Sequence, residues 1–238
     1  MSKRFLLVLA ISFFLGGCGG GSDDSNETAS TPVQPLTVPL STAMAGLAAN
    51  GLTANFSISG TVENMTVSGS GTLTATPFVA TLLNNTSVLR TTETLSGAVV
   101  ANGNSVPFSN TRTIFRNTVT YAVMVVDEGD AFVVFADHTI PPTVKAGDSG
   151  PLTSATIYSD STRATKVGTL TESYSVATDT GNSLLLTLLD KVFDNSNARI
   201  AEDETTFRID TSGNISFVSS KSTVFDSNGQ SLGTLVFQ

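Results

Sequence analysis

Residues 52–75 read LTANFSISGTVENMTVSGSGTLTA, and this stretch predicts the fold. From Leu52 to Val62, apolar residues or Gly alternate with Thr, Asn or Ser, which is the period of a strand with one buried face. The alternation resumes from Met65 to Ala75, with Gly69 and Gly71 at inward positions. Glycines at such positions indicate a sharp bend or the close approach of another element. The stretch therefore predicts two neighbouring strands of a curved sheet.

Turn signals recur between apolar runs through the rest of the chain, which is typical of consecutive hairpins. They lie at Asn84-Asn85, Asn102-Gly103, Glu128-Gly129, Gly181-Asn182, Asn195–Asn197, Gly213-Asn214 and Asn228-Gly229. We therefore expect an all-β fold, an antiparallel meander that forms a curved sheet, a sandwich or a partly open barrel. Val119–Val126 and Ala131–Ala136 are apolar on both faces, so this hairpin is predicted to form the centre of the core.

Two segments depart from the strand pattern. Residues 41–50 predict a short N-terminal helix, capped by Ser41 or Thr42 and stopped by Asn50-Gly51, that covers one end or face of the sheet. The Pro- and Gly-rich segment His138–Pro151 either joins two β subdomains or crosses between two sheets. We favour the crossing, because neither flank alone is large enough for a comfortable core.

Charge and composition exclude several classes of protein. The chain has 12 Lys and Arg, 20 Asp and Glu, one Cys and one His. Removal of Lys3 and Arg4 with a signal peptide would leave 10 basic residues and a net charge of −10. Nucleic acid is therefore not expected as a partner, because phosphate binding needs clustered basic residues. A single Cys forms no internal disulfide, and we expect no zinc site, other metal site or cofactor.

The N-terminus has the organisation of a signal peptide. Met1–Arg4 is short and basic, and Phe5–Leu15 is apolar apart from Ser12. This apolar run is far shorter than the ~20 residues that a membrane-spanning helix needs. Two small residues and Cys18 follow it.

Leu15-Gly16-Gly17-Cys18 resembles the lipobox of bacterial lipoproteins. The resemblance implies that the Cys18 thiol receives a diacylglycerol, that cleavage occurs before Cys18, and that the new amine receives an acyl chain such as palmitate. Two or three chains give a stable membrane anchor. Gly19 stands where Asp retains many such proteins in the inner membrane, so the resemblance implies the outer membrane if the host has two membranes.

We divide the chain into three parts. Residues 1–17 are the lipoprotein signal peptide, residues 18–39 are the lipidated cysteine and a disordered tether, and residues 40–238 are a single β-rich domain. The tether contains no aromatic residue and too little apolar surface to order itself. As a flexible coil it would span about 25 Å.

Polar clusters offer little support for catalysis or metal binding. His138 follows Asp137, but no Gly-x-Ser-x-Gly nucleophile elbow is present, so a plain loop histidine is favoured. Asp127, Glu128 and Asp130 predict a solvated hairpin tip. The acidic run Glu202–Glu204 predicts a polar strand end or edge. Asp226, Asn228 and Gln230 resemble the start of a calcium loop, but Phe237 stands where the bidentate Glu belongs, so an Asn-Gly turn is expected.

The body of the chain resembles a group of proteobacterial lipoproteins that have no assigned activity. The resemblance rests on Gly69–Thr74, the turn at Ala101, the loop from Pro141 and the Phe-Arg-Ile-Asp run at Phe207. The final hairpins, residues 207–237, also resemble the half-barrel carriers of lipids or lipoproteins in the Gram-negative envelope. This second resemblance supplies no site residues.

Two functions follow as expectations. The first is a membrane-anchored, non-enzymatic binding or structural domain, whose partner is an envelope protein or a polysaccharide. The alternative is a periplasm-facing carrier that shelters a lipophilic ligand in a half-barrel. The leading expectation is the binding domain, because no constellation of residues supports an enzyme.

The lipobox generates a test of processing. The mature protein should begin at a lipidated Cys18 and fractionate with membranes, and Cys18→Ser should release soluble protein. Mass spectrometry of the mature N-terminus checks the first statement, and fractionation checks the second. A Cys18→Ser protein that stays in the membrane fraction, together with an unacylated wild type, would contradict the assignment.

Overall fold

A computed structural model describes residues 36–238, and the predicted signal peptide, Cys18 and most of the predicted tether lie outside the described residues. The described residues form one helix and 15 strands. In chain order they are β1 (Thr37–Val38), α1 (Leu40–Asn50), β2 (Leu52–Val62), β3 (Met65–Ala75), β4 (Val79–Leu83), β5 (Thr86–Ala101), β6 (Asn104–Arg116), β7 (Val123–Asp127), β8 (Phe132–Phe135), β9 (Val144–Lys145), β10 (Ser149–Tyr158), β11 (Lys166–Thr178), β12 (Ser183–Asp194), β13 (Arg199–Asp210), β14 (Ile215–Phe225) and β15 (Ser231–Phe237).

Twelve of these strands form a closed antiparallel barrel. From β5 to β8 and from β10 to β15 each strand pairs with the next, and β8 pairs with β10 across the intervening loop. The ring closes because β15 pairs with β2, and because β3 pairs with both β2 and β5. Strand β4 continues along β5 beyond the end of β3. The predicted all-β antiparallel meander with a short N-terminal helix is confirmed, and its curved sheet closes into a barrel.

One row of facing residues determines how closely β3 and β5 approach. The row runs Phe56, Gly71, Gly97, Phe108 across β2, β3, β5 and β6. A Cβ atom added at Gly71 would lie 2.6 Å from the Phe56 ring, and one added at Gly97 would lie 2.9 Å from the Phe108 ring. The two rings therefore occupy the lumenal space that glycine side chains leave. The close approach predicted for Gly71 is confirmed.

Helix α1 packs across one end of the barrel. Its buried side chains are Leu40, Ala43, Met44 and Leu47. The helix ends as predicted, because Gly51 has a positive φ of 68° and its N–H bonds to the Leu47 carbonyl. The predicted capping is wrong, because Pro39 occupies the N-cap position and provides no side-chain hydrogen bond. The Ser41 N–H instead donates to the Pro142 carbonyl at 3.1 Å, which ties the helix to a barrel loop.

The Pro-rich segment before β10 does not cross between two sheets. It connects β8 to β10, which are neighbours in one sheet, and its short strand β9 pairs with β1. Val38 on β1 is fully buried in the core. Two residues of the predicted tether, Thr37 and Val38, therefore form a strand.

Two apolar clusters pack inside the barrel. The larger one joins α1 to β2, β3, β12, β13 and β15, and includes Phe56, Phe207 and Phe237. The smaller one joins β6, β7, β8, β10 and β11 to the ends of β12, β13 and β14. Strands β7 and β8 carry buried residues on both faces, as predicted, but Val119 at the start of the predicted range is 81% exposed, and the hairpin belongs to the smaller cluster. The prediction that it forms the centre of the core is therefore wrong.

The described helix is too short to span a membrane.

The glycine row generates a test of barrel closure. Gly71→Val should lower the free energy of unfolding by about 1–3 kcal/mol, because the added carbon atoms overlap the Phe56 ring and the Ser96 carbonyl. Gly46→Ala is the control, since α1 has open space there, and it should raise the free energy of unfolding by about 0.5–1 kcal/mol. Urea unfolding followed by circular dichroism measures both. Equal stability of Gly71→Val and wild type would contradict the role of this row.

Candidate functional site

Seven charged side chains face the lumen at the level between the two apolar clusters. We call this set the lumenal ion cluster, and its members are Glu93, Arg112, Arg116, Glu128, Glu172, Asp190 and Asp203. Each strand brings its member inward through the two-residue period of a β-strand. Five carboxyl groups share the space with two guanidinium groups, so the cluster carries excess negative charge if every carboxyl is ionised.

Arg112 lies between two glutamates. It faces Glu93 across the β5–β6 pair, and its Nη2 atom is 2.7 Å from Glu93 Oε2. Glu128 follows β7 at the position that would continue the register opposite Arg112, and its Oε1 atom is 3.9 Å from Arg112 Nη1. All three side chains are almost fully buried. Arg112 therefore compensates the charge of Glu93 more closely than that of Glu128.

Three carboxyl groups form a row on the opposite wall. Glu172, Asp190 and Asp203 face one another across β11, β12 and β13, and Ser222 continues the row on β14. Close to this row, the hydroxyl groups of Thr205 and Ser220 share a buried hydrogen bond of 2.9 Å. Placing carboxyl groups side by side in the lumen disfavours the simultaneous ionisation of all of them.

Burial makes three carboxyl groups of the cluster retain protons to higher pH than usual. Loss of hydration raises the pKa of Glu128 to about 7, although Arg112 opposes the shift. Burial also raises the pKa of Glu172 to about 7, with Arg116 opposing it. The pKa of Asp203 rises to about 8 through burial, while a hydrogen bond from Ser222 works in the other direction. The cluster can therefore take up or release protons near neutral pH.

Arg116 connects the cluster to the helix end of the barrel. Its Nη1 group donates to the Tyr121 carbonyl at 2.8 Å, and its guanidinium carbon lies 5.4 Å from the centre of the Phe78 ring. Burial lowers the pKa of Arg116 to about 9, against the attraction of Glu93 and Glu172. The side chain stays cationic at neutral pH and balances part of the carboxyl charge.

A second feature is a groove on the outer wall over β2, β3 and β5. It is a wide, open depression with a volume of about 670 Å³. It is lined by Asn55, Phe56, Ser57, Ser70, Gly71, Thr72, Ser96, Gly97, Ala98 and Gln238. No lining residue carries a charged side chain. Thr72 Oγ1 donates to Asn55 Oδ1 at 3.0 Å, which fixes the two side chains on one side of the groove.

The structure separates the polar residues that the sequence analysis singled out. His138 lies in the loop after β8, and its Nδ1 atom is 3.0 Å from the Ala136 carbonyl oxygen. Asp226 Oδ1 accepts from the N–H groups of Asn228 and Gln230, each at 2.8 Å, so the predicted turn is confirmed. Within residues 36–238, no group of three or more His, Cys, Asp or Glu residues is arranged to hold a metal ion.

Two predictions about acidic residues are wrong. Glu128 is buried in the lumen, whereas a solvated hairpin tip was expected; its neighbour Asp130 is exposed. The run at residues 202–204 lies inside β13, which is paired on both sides, and Asp203 is 2% exposed. The available signal was the strand period, since Asp203 shares its parity with the apolar residues Ala201, Phe207 and Ile209.

Comparison with known protein families, with curated protein sequences and with solved structures found no match to this chain. The lipoprotein resemblance stays a prediction from the sequence. The functional argument therefore rests on the barrel, the lumenal ion cluster and the outer groove.

The ion cluster generates a test of stability against pH. The three raised pKa values mean that the folded barrel binds protons more tightly than the unfolded chain. Their stabilisation is complete below the ordinary carboxyl pKa and is lost as the pH rises through about 7 to 8. The free energy of unfolding should therefore fall between pH 5 and pH 8.5, by at least about 1 kcal/mol.

Asp203→Asn should make this decrease in the free energy of unfolding smaller, because the amide replaces a carboxyl whose ionisation destabilises the folded barrel. Glu204→Gln is the matched control, since Glu204 is the exposed neighbour on β13, and it should retain the wild-type pH dependence. Urea unfolding at the two pH values measures all three proteins. An Asp203→Asn protein with the wild-type pH dependence would show that the cluster does not control stability.

Proposed function

We propose that this chain is a lipid-anchored envelope protein whose barrel is a non-enzymatic binding domain with its ligand site on the outer wall. The anchor is the lipidated Cys18, and the outer membrane is the destination in a host with two membranes. The observation that carries the proposal is the contrast between the two surfaces of the barrel. The lumen is occupied by packed side chains, whereas the outer wall carries a groove.

The filled lumen favours binding outside the barrel. Gly69 and Gly71 face inward, but the Phe56 ring and the β5 backbone occupy the space beside them. Phe56 also contacts Phe237 edge to face, with ring centres 5.5 Å apart. A lipophilic ligand would have to displace this packing, so the carrier alternative receives no support from the described lumen.

The chemistry of the groove favours an uncharged ligand that is rich in hydroxyl groups. Ser57, Ser70, Thr72 and Ser96 offer hydroxyl groups, which donate and accept hydrogen bonds. Asn55 offers an amide with the same versatility. A charged ligand would find no opposite charge among the lining side chains. Of the partners expected from the sequence, a neutral polysaccharide fits this surface best.

The polar residues that invite a catalytic role do not form an accessible site. Four of the five carboxyl groups of the lumenal ion cluster are buried in the lumen, those of Glu93, Glu128, Asp190 and Asp203. His138 lies in the loop that follows β8, where its ring contacts the Ala136 backbone carbonyl. These placements support a binding domain over an enzyme.

The groove generates a test of ligand binding. Isothermal titration calorimetry of Cys18→Ser protein should detect binding of at least one uncharged glycan among maltohexaose, cellohexaose, chitohexaose and the neutral polysaccharide of the same cells. Ser70→Trp should weaken that binding at least about tenfold, because the indole fills the groove.

Ser68→Trp is the matched control. Ser68 is exposed on the same face of β3, one outward position away, and is outside the groove lining, so this variant should bind as wild type does. The chain contains no natural Trp, so the fluorescence of each introduced Trp reports the binding independently. Absence of binding to all four glycans, or equal weakening by both variants, would contradict the proposed site.

A further inference from the structure

The β7–β8 hairpin is the shortest part of the barrel wall. β7 has five residues and β8 has four, and the other strands of the ring have at least seven. The hairpin pairs with only Thr113–Arg116 of β6 and Ala155–Tyr158 of β10. Few ladder hydrogen bonds therefore hold it to its neighbours, so its attachment to the wall depends mainly on its buried side chains.

The turn of this hairpin places Glu128 inside the lumen. The Glu128 N–H donates to the Ala131 carbonyl at 3.0 Å, which closes the turn. The side chain is 2% exposed, and its Oε1 atom accepts no hydrogen bond from the residues that the structure describes. Asp203 Oδ2, on the opposite wall, is also buried without a hydrogen bond from those residues. An ionised Glu128 is therefore poorly compensated in this position.

Within residues 36–238, the charged groups around Glu128 come from several elements. Arg112 attracts it, but Arg112 already contacts Glu93 more closely. The carboxyl groups that repel it come from β5, from its own turn and from β13, namely Glu93, Asp127, Asp130 and Asp203. The remaining charges of the lumenal ion cluster are Arg116, Glu172 and Asp190, with Glu202 beside Asp203 on β13. Helix α1 contributes no charged side chain.

We propose that the β7–β8 hairpin is a pH-dependent latch, which is closed on the lumen while Glu128 carries a proton and opens when Glu128 ionises. Ionisation releases the proton to solvent and leaves a carboxylate that water hydrates better than the lumen does. Opening turns Val126, Ala131 and Val133 of the smaller apolar cluster towards solvent. The latch would give the barrel a second, pH-controlled surface beyond the outer groove, and it does not depend on the proposed glycan site.

The sign of the response follows from the two environments of Glu128. In the closed hairpin burial raises the pKa to about 7, whereas an opened, hydrated hairpin restores the ordinary value of 4.5. Because the closed hairpin binds the Glu128 proton more tightly than the open one, protonation at low pH favours the closed hairpin. This stabilisation of the closed hairpin is lost as the pH rises. Between pH 5.5 and pH 8.5 the ratio of closed to open hairpin should fall about 30-fold.

Hydrogen exchange followed by mass spectrometry tests the latch on the full chain carrying Cys18→Ser. After correction for intrinsic exchange rates, residues 123–135 should be less protected than β12, and their protection should fall about 30-fold from pH 5.5 to pH 8.5. Glu128→Gln should keep the hairpin protected at both pH values while β12 retains its own pH dependence. Asp137→Asn, which makes the same chemical change at an exposed carboxyl just after β8 that does not act on Glu128, is the control and should keep the wild-type response.

If Glu128→Gln fails to fold, hydrogen exchange of the wild-type protein alone still tests the proposal. Equal protection of residues 123–135 and β12 at every pH would mean that the barrel opens only as a whole, which would overturn the latch. Unchanged hairpin protection between the two pH values would also overturn it. Asp203→Asn gives a second check, because removal of one opposing carboxyl lowers the pKa of Glu128 in the closed hairpin and should make the fall in hairpin protection between the two pH values smaller.

Discussion

The close approach of β3 and β5 at Gly71 and Gly97 is the constraint on which the rest of the structure depends. Without side chains at these positions the two strands pair directly, and the barrel closes between the first hairpin and β5. The Phe56 and Phe108 rings lie over the glycines on the lumenal side, so the rings occupy the space that the glycines leave there. Closure and the packing of the lumen at this level therefore share one physical cause.

The hydroxyl-rich strand pattern made most of the fold predictable. Alternation from Leu52 to Ala75 predicted paired strands, and the Asn-Gly turns predicted a meander, because both signals are local. Closure was not predictable, since β15 pairs with β2 across more than 160 residues of sequence. The prediction that the β7–β8 hairpin forms the centre of the core was wrong for a related reason. Apolar residues on both of its faces indicated burial, but burial alone does not say which cluster an element joins.

The lumenal ion cluster could have been predicted only in part. Asp203 and Glu93 stand at inward parity in their strands, which is a local signal. The pairing of Arg112 with Glu93 and its proximity to Glu128 depend on the register of β5, β6 and β7, which the sequence does not specify. Five carboxyl groups in one enclosed layer give the barrel a response to pH that composition alone, with its general acidic excess, does not indicate. The anchor at Cys18 and the outer groove are independent of this layer.

Native mass spectrometry of the protein purified from its own envelope tests the central claim most directly, that the barrel is lipid-anchored and has a filled lumen. The account predicts a mass that corresponds to a chain starting at Cys18 with covalent acyl groups, and no further lipid after gentle activation. An unmodified chain would contradict the anchor. A lipid that is bound without a covalent bond, in one-to-one ratio with the protein, would contradict the filled lumen and favour the carrier.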